Sequence, residues 1–210
     1  MGLSRFGVAG VAGVVIAVAL TLAGCTGSET PAPSSSPQPA ASSPAAASAT
    51  VYKESPLDLC AQTDVKALTA DLKLTVDSTD NSPSPEGPGA ACMWRMKSAD
   101  GNMSTLRVQA VVHRSADEAT RAFQAQQNVS NLKADGPISG LGDQAEGRTL
   151  DSDQGFKQSE YMVHLRTGNM TVKAWISLGA KEFTPKATLA AKMDALARTT
   201  LTTVSSAWKQ

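Results

Sequence analysis

Few residues of this chain have types and spacings that could do chemistry. Trp175 lies on the polar face of a predicted strand, between Lys173 and Ser177, while Ala174 and Ile176 point inward. An exposed tryptophan beside a lysine suits a ligand or partner surface. A helix or loop covering that face is the alternative, and periodicity does not say which face is covered. His113 and His164 could serve a Ser/His/Asp hydrolase, a constellation recognised by geometry rather than by order. No G-x-S-x-G elbow is present, and both histidines fall on outward strand positions, where a solvated ring is the ordinary outcome. No catalytic residue is assigned. Gly140-Leu141-Gly142-Asp143-Gln144-Ala145 matches the letters of a dinucleotide fingerprint. It lacks the strand before and the helix after that such a site needs, so it reads as a turn entering a strand. Asp151-x-Asp153-x-Gly155 is a fragment of a calcium loop, but Phe156 and Met162 stand where glycine and glutamate are required. A polar hairpin turn is the better reading. No metal and no cofactor are expected.

The cysteines say where the chain resides. Arg5 precedes an apolar run over 8–22, which ends in Leu22-Ala23-Gly24-Cys25. That is the secretory layout, and its ending resembles the lipobox of bacterial lipoproteins. The resemblance implies a signal peptide over 1–24 and a diacylglyceryl group on Cys25. Each buried methylene contributes about 0.8 kcal/mol, so two or three acyl chains anchor stably. An uncleaved transmembrane helix would leave the rest of the chain on the same outer side. Residues 26–50 are almost wholly Ser, Ala, Pro and Thr, so residues 25–55 read as lipidated cysteine and disordered linker. Its coil-like reach is about 25–30 Å. Cys60 and Cys92 remain. A pair in an exported domain is most simply a disulfide, closing a loop of about 30 residues for roughly 3 kcal/mol. Two buried free thiols are the alternative. The formal net charge of +0 argues against a nucleic-acid partner.

A single domain over 56–210 must position these residues. Val65, Leu68 and Leu72 predict a helix over 64–72, capped at Thr63-Asp64. Leu74 and Val76 open a short strand, and 81–89 reads as a loop. Residues 91–97 and the alternation from Leu106 to Val112 form a hairpin around Asp100-Gly101. Ser115-Ala116-Asp117-Glu118 is a capping box opening a helix to about 128. Residues 135–142 read as a loop and 144–150 as a strand. Tyr161, Val163 and Leu165, then Met170, Val172, Ala174 and Ile176, alternate on either side of Gly168-Asn169 as a second hairpin. Thr184-Pro185 starts a last helix to about Trp208, with Leu189, Met193, Leu196, Thr200 and Val204 along one stripe. The expected fold is α+β: an antiparallel sheet built from two hairpins, helices packed on one face, in the order α-ββ-α-ββ(β)-α.

These residues resemble a family of actinobacterial exported lipoproteins with a shared domain of unassigned function. The match rests on Asp58-Leu59-Cys60, Cys92-x-Trp94, Ser115-x-x-Glu118-Ala119, Gly140-Leu141-Gly142-Asp143-x-Ala145 and Gly168-Asn169-x-x-Val172, and spans most of 56–208. It departs from the pattern where Asp71-Leu72-Lys73 replaces a glycine-rich helix end. The resemblance implies an α+β fold, a Cys60–Cys92 bridge and an envelope role, and carries over no catalytic residue.

The favoured expectation is a non-enzymatic binding or sensing module on the outer face of a cell membrane, held there by its lipid. Its partner would be an envelope protein, a wall fragment or a lipid ligand. A lipid or glycolipid carrier with an apolar cavity between sheet and helices is one alternative, and an envelope hydrolase is another.

Overall fold

The computed structural model describes residues 50–129, 131–153 and 155–210, with the backbone alone at 128 and 129. Cys25, the signal peptide and the linker up to residue 49 lie outside the described residues. The elements are α1 (Leu59–Gln62), α2 (Lys66–Asp71), β1 (Leu74–Pro83), β2 (Gly89–Ser98), β3 (Met103–Val112), α3 (Ala116–Val129), β4 (Lys133–Pro137), β5 (Gln144–Asp153), β6 (Lys157–Thr167), β7 (Met170–Ala180) and α4 (Lys186–Trp208). The strands form one antiparallel sheet in the order β1-β2-β3-β7-β6-β5-β4. The α+β class and the element order are as expected. No described helix is long and apolar enough to cross a membrane.

One sheet face is dry. Trp94, Met96, Leu106, Val108, Val163, Leu165, Val172, Ala174 and Ile176 point to it, each at most 2% exposed. The α4 stripe of Leu189, Met193, Ala197, Thr200, Val204 and Trp208 covers them. α1 and α2 extend the cover with Leu59 and Leu68. The Cys60–Cys92 disulfide joins α1 to β2, with Cα atoms 5.2 Å apart.

α3 corrects the expectation that all helices share that face. Phe123 stacks on His164, whose side chain points away from Val163 and Leu165, with ring centroids 4.8 Å apart. α3 therefore lies on the opposite face. Tyr161-Met162-Val163 and Gln109-Ala110-Val111 are buried without a break. An unbroken buried run marks a strand covered on both sides.

Two further expectations are adjusted. β1 runs ten residues to Pro83, so the loop reduces to 84–88 and the first hairpin becomes a three-stranded meander. Its residues after Leu74 are all exposed, and a polar edge leaves the apolar alternation that marks a strand unwritten. β4 likewise occupies part of the expected 135–142 loop, as a short edge strand. The capping box of α3 is present, with Glu118 N–H donating to Ser115 Oγ at 3.1 Å. The Glu118 carboxylate accepts from Arg114 N–H rather than from Ser115. At α4 the cap is Pro185 with no side-chain hydrogen bond, so Thr184 does not cap.

Asn169 fastens the start of the domain. Its Oδ1 accepts from Tyr52 N–H at 2.7 Å, and its Nδ2 donates to the carbonyls of Tyr52 and His113. Gly168 beside it has φ +51, and a Cβ there would meet the Thr50 carbonyl oxygen at 2.0 Å. Lys53 N–H donates to Trp208 O, and Trp208 Nε1 donates to Ser55 O at 2.8 Å. Packed structure thus begins before residue 56, because Tyr52 is part of the core.

Candidate functional site

The strand register assembles the second face. Arg107 on β3 lies opposite Trp175 on β7, which lies opposite Met162 on β6, which lies opposite Arg148 on β5. The adjacent row is Gln109, Lys173, His164 and Glu146. α3 covers the second row through Phe123 and leaves the first partly open. The result is a cleft of about 310 Å³, floored by Arg107, Lys173, Trp175, Glu160 and Met162, with Gln126 of α3 on its wall. That is the lower end of the range for small-molecule sites.

Trp175 is neither covered nor free. It is half-buried, and its indole Nε1 donates to Glu160 Oε2 at 3.0 Å. One edge of the ring is thereby fixed. Burial pushes the Glu160 carboxyl above its ordinary pKa, and the hydrogen bond from Trp175 offsets part of that rise. Lys173 is ion-paired with Glu86, which the β1–β2 loop supplies. The turn that aims Glu86 is closed by Glu86 N–H donating to Ser84 Oγ at 3.1 Å. Arg107 is half-buried and makes no hydrogen bond or ion pair with any described residue. Arg148 differs: it donates to Glu146 at 3.1 Å and to the Leu132 carbonyl at 2.8 Å.

Trp175 and Lys173 are brought together in one cleft. Arg107, Glu160 and Met162 were not legible as site residues, because nothing in their local pattern reveals which strands become neighbours. The other two tryptophans are buried, Trp94 at 2% and Trp208 at 1% exposure.

The histidines are not solvated, which corrects the outward-face reading. His164 is 4% exposed under Phe123. Burial lowers its pKa to about 3, with Lys173, His113 and Arg148 adding to the effect. His113 is half-buried, its Nε2 is 3.0 Å from Thr171 Oγ1, and burial lowers its pKa too. Alternation placed both rings off the core correctly and could not foresee that α3 would cover that face. On this face, both polar atoms of the buried Gln109 amide and His164 Nδ1 have no hydrogen-bond partner among the described residues.

The glycine-rich string is a structural turn. Gly142 has φ +64, and its Cβ position lies 2.6 Å from the Arg166 carbonyl oxygen. Asp143 Oδ2 accepts from Gly168 N–H at 2.8 Å and pairs with Arg166. The two glycine motifs of the chain are therefore in contact. Asp153, from the calcium-like string, is ion-paired with Lys157.

These features define a disulfide-bridged α+β domain with one dry face and one face carrying a cleft. No family model matches the chain. No curated protein matches it. Among solved structures, the extracellular domain of PknH from Mycobacterium tuberculosis is similar to it, with TM-score 0.43 and 9% identity over 73% of this chain and 100% of that chain. A likeness of that size compares the course of the backbone and nothing of the site.

Proposed function

We propose that this chain is a lipid-anchored, extracytoplasmic binding module of an actinobacterial cell envelope, that it is not an enzyme, and that the Trp175 cleft is its binding site. The observation that carries the reading is a tryptophan held by its N–H to Glu160 and half-open to solvent, between Lys173, Arg107 and Met162. A rigid aromatic surface with polar groups around it binds at low entropic cost. The disulfide supports an oxidising compartment. The lipobox-like Leu22-Ala23-Gly24-Cys25 supports the anchor.

Native mass spectrometry of the chain purified from its own envelope tests the site. A co-purifying ligand that is lost in Trp175→Ala, with unchanged melting, supports it. A ligand retained by that variant places binding elsewhere and sinks the cleft. Membrane fractionation tests the anchor separately. Cys25→Ser is expected to move the chain into the soluble fraction, and full membrane retention would refute lipidation there.

A further inference from the structure

The cleft's charges have an arrangement that restricts what it takes. Arg107 and Glu160 stand on opposite sides of Trp175, on β3 and β6 with β7 between them. Arg107 is in register with Trp175 and Glu160 with Ser177, two residues further along β7, so their Cα atoms are about 12 Å apart. On one side is a guanidinium with no partner among the described residues. On the other is a carboxylate whose Oε2 accepts from the indole at 3.0 Å and whose Oε1 accepts from Gln158 Nε2 at 3.5 Å, leaving a further lone pair on each oxygen to accept hydroxyl donors. Lys173 already has its counter-charge in Glu86. Among the described residues, Arg107 is therefore the unmatched cation that faces the ligand.

Building on the cleft reading above, we infer that its ligand is a carboxylated sugar, with the carboxylate on Arg107, a ring face on Trp175 and hydroxyls on Glu160. The planar guanidinium fork matches a carboxylate through two parallel N–H bonds, and charge-assisted bonds are about twice as strong as neutral ones. Glu160 repels a dianion such as a phosphate monoester, so the arrangement favours a single negative charge. The two strand positions leave room between them for one ring and its substituents. An aromatic acid would satisfy Arg107 and Trp175 but would leave Glu160 and Gln126 without donors and acceptors to bind. The cleft is also open, which suits a polar ring stacked on one side better than an apolar one needing enclosure.

The test is calorimetric titration of the full chain with galacturonate, glucuronate and N-acetylmuramate oligosaccharides, each beside its carboxylate methyl ester. The ester keeps the ring and removes the charge. At least one acid is expected to bind, with its ester about tenfold weaker or worse. Arg107→Gln should weaken the acid by a similar factor and leave the ester unchanged. Trp175→Phe should retain most affinity for both, whereas Trp175→Ala should lose both. Equal binding of acid and ester, or full affinity in Arg107→Gln, would overturn the assignment of the carboxylate to Arg107. Absence of binding by every sugar would overturn the ligand class. The cleft reading survives that last result if a co-purifying non-sugar ligand is lost in Trp175→Ala, and falls with it if that ligand is retained.

Discussion

The two faces of this sheet are built on different principles. The face under α4 is closed by long apolar side chains, with Trp208, Met193, Leu106, Val163 and Ile176 all at 1% exposure or less. The face under α3 is covered through Ala119 and Phe123 alone among the fully buried residues of that helix. It carries Gln109, His164, Lys173, Arg148 and Glu146 where the other face carries aliphatics. Burying polar groups without partners opposes folding, so the α3 face contributes little stability and depends on the other. The comparison teaches that one half of a small domain can specify the fold while the other remains available for recognition.

The largest expected difference is mechanical. Trp208→Ala should destabilise by about 3–5 kcal/mol in denaturant unfolding, as enclosed aromatic truncations do. Phe123→Ala should cost about 2 kcal/mol, since a partly covered site admits water where a sealed core leaves a void. Equal losses would break the distinction between the faces.

Next is the disulfide, which belongs to the α4 face. Replacing both Cys60 and Cys92 by alanine should cost roughly 3 kcal/mol on the chain-entropy model. An unchanged transition midpoint would show that α1 is held by packing alone.

Acid should attack the α3 face first. His164 binds its proton at about pH 3 when folded and near 6.5 when unfolded, because burial opposes its charge. Its contribution is fully present above pH 6.5 and is lost as pH falls toward 3. Through that window stability should decline by up to about 1.4 kcal/mol per pH unit for this group. His113, also lowered by burial, acts with the same sign. His164→Phe should flatten the stability curve between pH 6.5 and 5, a window above the ordinary range of carboxylates. A curve of unchanged slope would place the acid sensitivity elsewhere.

The smallest effect concerns Glu160. Its raised pKa works against the folded state as pH climbs through the unfolded and then the folded value, and the Trp175 bond limits that rise. Trp175→Phe should therefore raise the Glu160 pKa further, by well under what burial itself contributes. Carboxyl-carbon NMR titration reads this directly, and a lowered or unmoved value would remove the hydrogen bond from the account of the cleft.

Much of the architecture was legible in the chain because it is written locally. Alternation over Leu106–Val112 and Tyr161–Ile176 gave the central strands, the capping box gave α3, and parity gave the disulfide. The edge strands β1 and β4 were not legible, since exposed polar residues erase the apolar period. Trp175 and Lys173 stood out as a tryptophan and a lysine on one outward face. Arg107 and Glu160 did not, for each is an ordinary outward polar residue until β7 is inserted between β3 and β6.

The sequence by itself determined the central strands, the two long helices, the inward stripes and the cysteine pair, because hydrophobic period and turn chemistry act within a few residues. Tertiary structure alone decided that α3 crosses to the second face, that His164 and Gln109 are buried there, and that Arg107, Trp175 and Glu160 meet in one cleft. Those outcomes depend on which strands pair and which face a helix covers, and long-range pairing leaves no trace in local pattern.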